Sequence, residues 1–291
     1  MPTGRTTTAA LADSLPTLIA AARQVSEYEG VMSQLVDRQR LGEGMGNTWN
    51  EISMARLTAQ DITEQTELDN PQQMSDTLFA LTPTVAGIET FYTDRVARNI
   101  AKKAWAQTGT LAQHAVQRKK DIDGITVLDG ATTSLSGAGT TLVSGVVAAA
   151  GVRILGNATE PGPRPLRCVL HGFQVKDIWD EIVAGVGTYP VGEGLTARVF
   201  TEGYEGKISG VEIYTDGNIP IDGSDDAKGG VFSKMGIVLV EGRSPYILTK
   251  DQPHIGGGGL SVYTYDEFIF GERSPGNWLY EIYSDALAPT S

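Results

Sequence analysis

Cys168, His171 and Asp177 lie within one short stretch. They are the residue types of a thiol nucleophile, a general base and an orienting carboxylate. On an alternating strand, positions 168 and 171 point to opposite faces. A lone cysteine is commonly a small buried apolar residue. The trio therefore reads first as structure, and a hydrolase using Cys168 and His171 is kept as the alternative from another class. The other histidines are His114 and His254. None of the three belongs to a His-Glu-x-x-His pair, so no zinc hydrolase signature is present. Gly256-Gly257-Gly258-Gly259 has no lysine after it, and Gly185-Val186-Gly187 lacks the third glycine and helix start of a dinucleotide turn. Asp222-Gly223-Ser224-Asp225-Asp226 has the composition of a calcium loop, but the twelfth position is Ser233 in place of the bidentate glutamate. These segments read as turns. No catalytic residue, metal ligand or cofactor is expected, and the chain is not read as an enzyme.

The elements that carry these residues form a mixed pattern. Positions 18–41 read as a helix with Ile19, Ala22, Val25, Val31, Leu35 and Val36 roughly on one face, stopped by the glycines at 42, 44 and 46. That face is too small to close a core alone, so it packs on the body or on a neighbour. Residues 51–93 contain no lysine. A threonine-rich run over 62–68, a turn at Asp69-Asn70-Pro71 and a second run over 78–92 read as a two-armed extended excursion. An isolated hairpin is marginal in water, so its partner surface is expected elsewhere, on another subunit. The clearest helix is predicted over 94–120, with Ala97, Ala101, Ala104, Leu111, Ala112 and Ala115 at helical spacing, Arg118, Lys119 and Lys120 in its last turn, and a stop at 121–124. Further helices are predicted over 140–154 and 173–183. Strands are predicted over 166–171, 198–201, 207–214, 231–240, 260–265 and 278–283. The whole is α+β, not regularly alternating.

Composition narrows the function classes. The 291 residues carry a formal net charge of −12, a poor balance for wrapping nucleic acid by phosphate neutralisation. One cysteine cannot form an internal disulfide. The apolar stretch at 18–22 is shorter than a secretory signal needs. That at 142–155 is interrupted by Gly145, Gly151 and Arg153 and is shorter than a membrane span. The expectation is a protein that stays in the compartment where it is made.

The order of parts resembles the major capsid protein of tailed bacteriophages, with the Hong-Kong-97-type coat fold, over about residues 50–285. The residues that carry the resemblance are Leu57-Thr58-Ala59-Gln60-Asp61-Ile62-Thr63-Glu64 as an extended loop, the helix over 94–120 as the spine, and Cys168-Val169-Leu170-His171-Gly172-Phe173-Gln174-Val175-Lys176-Asp177-Ile178 as the strand-then-helix of the body. The runs 207–220 and 230–237 look like its late strands. The resemblance implies a phage coat fold divided into an N-terminal arm (1–50), an extended two-stranded loop (51–93), a spine helix with the start of the peripheral domain (94–140), and a mixed α+β body with axial and returning peripheral parts (141–291). It implies a structural protein that self-assembles into hexamers and pentamers as an icosahedral shell around double-stranded DNA. The alternative within the same fold is an encapsulin-like compartment shell. It further implies a separate scaffolding protein, a portal, a possible decoration protein, and residence in the virion after assembly in the bacterial host cytoplasm. No membrane partner is implied. The expected inter-subunit contacts are Asp61, Glu64, Glu67, Asp69, Gln72, Arg118 and Lys119. One branch of the family joins a loop lysine to a neighbour's asparagine. With no lysine over 57–93, that cross-link is not expected here.

Overall fold

The computed structural model describes residues 30–44, 46–65, 71–99, 102–184, 206–255 and 257–289. The expected helix before Gly30, the glycine-rich loop at 185–194 and the strand expected over 198–201 lie outside the described residues.

A six-stranded sheet forms the middle of the body, in the order β5 (Ser134–Ser136), β12 (Leu279–Asp285), β9 (Asp226–Ser233), β6 (Leu166–Leu170), β8 (Val211–Thr215) and β7 (Lys207–Ile208). Both faces are covered. Strand alternation divides β6: Leu166, Cys168 and Leu170 face one core, and Val169 faces the other. The first core is completed by α4 (Ser144–Leu155), through Val147, Ala150 and Ile154, and by Val175 and Ile178 of α5 (Gly172–Ala184). The second core holds Met32, Leu35, Ile125, Leu128, Phe232, Leu239 and Phe270. It joins the central sheet to a four-stranded sheet, in the order β1 (Asp37–Arg40), β10 (Ile237–Asp251), β11 (Gly259–Glu272) and β4 (Thr84–Thr93).

The long helix was foreseen, but its end was not. It runs as α2 (Asp94–Asn99) and α3 (Lys102–Asp129). Along α3 the buried residues Ala112, Val116, Lys120, Asp121, Ile125 and Leu128 fall at spacings of three or four, apart from the adjacent pair Lys120 and Asp121. The expected stop at 121–124 is overridden by packing. A Cβ on Gly124 would sit 2.8 Å from the Met32 Cβ, so this glycine admits α1 (Met32–Leu35) against α3. Lys120 does not serve a helix terminus. It is buried, with Nζ 2.5 Å from Glu241 Oε1 on β10 and 3.5 Å from Asp266 Oδ2 on β11.

Three other expectations change. The helix predicted to Leu41 ends at Leu35, and Asp37–Arg40 pairs in parallel with β10, from Asp37 beside Val238 to Arg40 beside Glu241. The backbone of Val238, Leu239, Val240 and Glu241 on β10 draws this segment into a strand. The second arm of the excursion splits in two. β3 (Asp76–Leu81) pairs with β2 (Trp49–Met54), whereas β4 joins the body through β11. The runs at 207–214 and 231–240 are each two strands around a turn, the first at Ser209 and Gly210, both with positive φ.

Candidate assembly surface

The three residues with catalytic character are occupied structurally. Cys168 is fully buried in the α4/α5 core, and burial pushes its thiol well above the ordinary range, away from the reactive thiolate. His171 is the residue before α5. Its Nδ1 accepts the Phe173 N–H at 3.2 Å, and its own N–H donates to Gln174 Oε1 at 3.0 Å. That reciprocal pattern is a capping box with histidine in the place of serine. Burial holds the imidazole below its usual range, in the neutral form that accepts. Asp177 Oδ2 accepts the Leu142 N–H at 3.3 Å, and Glu181 Oε2 accepts the Ser144 N–H at 2.6 Å, so α5 carboxylates hold the start of α4. The acidic turn is likewise closed on itself. Asp222 Oδ1 accepts the N–H groups of Ser224 and Asp226, and Oδ2 accepts the Tyr283 hydroxyl. Among the described residues no group of His, Cys, Asp and Glu could hold a metal ion. No described helix is long and apolar enough to cross a membrane.

What remains is surface. Every described residue in 52–65 and 71–78 is exposed. Within that span lie Ile52, Met54, Leu57, Ile62, Met74 and Leu78, with Met54 at 70% and Leu78 at 62% exposure. The register places Ile52 opposite Leu78, so Ile52, Met54 and Leu78 share one face of the β2–β3 ribbon. Fully burying one such side chain stabilises by about 1.5–3 kcal/mol, and this face has that gain still available.

The opposite face of the ribbon is anchored. Phe79 and Leu81 lie over β11, where a Cβ on Gly271 would stand 2.7 Å from the Leu81 methyl carbons. Trp49 meets Phe79 edge to face at 6.2 Å between centroids. Arg273 ties the root together. Its Nε donates to Glu51 Oε2 at 2.8 Å, Nη2 to Asp37 Oδ2 at 2.6 Å, and Nη1 to the Met235 carbonyl at 3.0 Å. Farther out, Ala55 N–H donates to the Ser75 carbonyl, and Arg56 Nη1 to the Ala158 carbonyl of the body at 2.9 Å.

The residues singled out from sequence fall into separate places. Asp61 and Glu64 are exposed on the excursion. Gln72 braces its two arms, with its Oε1 accepting the Thr58 N–H at 2.8 Å and its amide donating to the Thr58 carbonyl. Glu67 and Asp69 lie outside the described residues. Arg118 is exposed on α3, and Lys119 pairs with Asp123 one turn on. The excursion residues and the α3 cations thus stand on different elements. The apolar face of the ribbon and the Arg273 root were not anticipated. Their signal was the alternation over Trp49-Asn50-Glu51-Ile52-Ser53-Met54, which places the two faces before any register is known.

The fold recurs in solved structures. The chain is similar to one in the capsid structure of cyanophage P-SCSP1u, at 12% identity and a TM-score of 0.71, covering 94% of each chain. It is similar to a chain of Mycobacterium phage Che8, at 15% identity and a TM-score of 0.71, covering 90% of this chain and 94% of that one. It is also similar to one in the cyanophage Pam1 capsid asymmetric unit, at 11% identity and a TM-score of 0.67, covering 94% and 98%. No family model and no curated protein matches the sequence. The protein has the phage coat fold that the order of its parts had suggested. At these identities the likeness is one of fold.

Proposed function

We propose that this chain is the structural major capsid protein of a tailed bacteriophage. Its copies form hexamers and pentamers that close an icosahedral shell around double-stranded DNA. The observation that carries this reading is the excursion: on a phage coat fold, a ribbon is anchored at its root and bears an unburied apolar face formed by Ile52, Met54 and Leu78. A second copy of the chain supplies the missing cover. Asp61, Glu64, Glu67, Asp69 and Gln72 then lie within the subunit contact, and Arg118 and Lys119 present charge from the spine helix. In this division of labour residues 1–50 act as an arm that is fixed to the body through residues 32–40, 51–93 as the reaching loop whose last strand, β4, returns to the body, 94–140 as the spine and 141–291 as the body. A net charge of −12 suits a container, because it holds phosphates off the wall without gripping them. A separate scaffolding protein and a portal complete the assembly in the host cytoplasm, and the product resides in the virion.

Negative-stain microscopy of the full chain, alone and co-expressed with its scaffolding protein, is expected to show rings, tubes or shells. The triple variant I52S/M54S/L78S is expected to keep the unfolding midpoint of the parent while losing these particles. A strictly monomeric parent under all these conditions overturns the reading. So does a triple variant that assembles like the parent.

A further inference from the structure

Gly30–Met32 lie against a pair of acids on the body. Asp121 on α3 and Asp216, directly after β8, are both buried. Asp121 Oδ1 accepts the Met32 N–H at 3.0 Å, and its Oδ2 accepts the Asn218 side-chain amide at 2.9 Å. Asp216 Oδ2 accepts the Val31 N–H at 3.3 Å, and its Oδ1 accepts the Asn218 N–H at 2.8 Å. Gly30 presses on the Asp121 carboxyl so closely that any Cβ would overlap it. Asn218 bridges the two carboxyls, donating its backbone N–H to Asp216 and its side-chain amide to Asp121. Two buried like charges held on one residue disfavour ionisation of both, so the pair retains a proton more readily than free carboxyls do.

Among the described residues no cation pairs with either acid. Lys120, next along α3, is turned to Glu241 and Asp266. Among the described residues, the groups that donate to them are the N–H groups of Val31, Met32 and Asn218 and the Asn218 side-chain amide. These donors favour the ionised carboxyls and so work against burial and the neighbouring acid, and they oppose a metal ion, which would need further oxygen ligands.

We propose that Asp121 and Asp216 form a one-proton clasp that holds Gly30–Met32 on the body and loosens when the proton leaves. This goes beyond shell formation, because it is a property of the single chain. Burial, and then the neighbouring Asp121, raise Asp216 to about 7. A carboxyl raised in the docked state favours docking most below its free value of about 4. Docking weakens as pH climbs from about 4 to about 7 and then levels off. Loss of the proton leaves two like charges side by side without a counter-ion, and releasing residues 30–32 lets water reach them.

Hydrogen exchange of the full chain, read by mass spectrometry and corrected for intrinsic rates, tests this at pH 5.5 and 8.5. Protection of the peptide covering 30–36 is expected to fall by roughly tenfold at the higher pH, with peptides of β9 and the first half of β10 unchanged. In D216N the amide donates permanently as the protonated acid does, so protection of 30–36 is expected to be the same at both values. D121N serves in its place if D216N does not fold. Equal protection of the parent at the two pH values overturns the proposal, as does a folded D216N or D121N that retains the full pH-dependent fall.

Discussion

The His171 imidazole closes the first turn of α5, and its protonation works against that role. Burial lowers its affinity for the proton in the folded chain. The neutral cap is therefore complete above the free value near 6.5, and its contribution is lost as pH falls below that. H171N keeps a capping acceptor that does not titrate. In urea titrations, H171N is expected to match the parent at pH 8 and to exceed it at pH 5 by about 0.5 kcal/mol. A gap independent of pH would dismiss this role. Cys168 makes a second check at the same scale. Enclosed by Ile178, Val211 and Val231 among others, its thiol has neither access nor thiolate character. Iodoacetamide at pH 8 is expected to leave the native chain unmodified and to label the urea-unfolded chain fully. Rapid labelling of the native chain would reopen the hydrolase alternative. That alternative was already weak in the sequence, because positions 168 and 171 cannot share a strand face. The capping role was less legible, since it depends on where α5 begins.

At the scale of elements, two segments that leave the body are tied at one side chain. Arg273, on the turn after β11, holds Asp37 of β1 and Glu51 of β2, with only 8% of its side chain exposed. Removing the guanidinium leaves both acids without their counter-charge. R273A is expected to cost about 2 kcal/mol and to raise hydrogen exchange in β1 and β2 together. R273K, which keeps charge without the fork, is expected to fall between R273A and the parent. Exchange that rises in only one strand would show that the two are not coupled there. This junction was invisible in the sequence because Asp37, Glu51 and Arg273 are far apart along the chain. By contrast, α4 and α5 were foreseen closely, since their apolar stripes are regular and Gly156 follows the first. α3 was foreseen only in part. Its continuation through Gly124 depends on Met32 and Phe270 arriving from other parts of the chain.

At the scale of the whole molecule, two cores share one central sheet, and the net charge of −12 surrounds them. Under the proposed assembly, copies that meet through the apolar ribbon do so against mutual repulsion. Between about 0.1 M and 1 M salt the Debye length falls from about 10 Å to about 3 Å. The concentration at which light scattering first reports particles is therefore expected to drop as salt is raised over that range. A threshold that rises with salt would mean that ion pairs between copies, and not apolar burial, drive assembly.

The sequence by itself determined the α+β class, the long helix, the lysine-free excursion and the absence of a catalytic pattern. Each of these is written in local periodicity, turn chemistry or residue type. Only the tertiary structure decided that β4 belongs to the body and β2–β3 to the excursion, that Lys120 and Asp121 are buried on a helix whose end had been expected there, and that the ribbon carries one anchored and one free face. Those outcomes turn on which distant strand or helix takes up each segment's hydrogen bonds and apolar area, and pairing of that kind has no local signature.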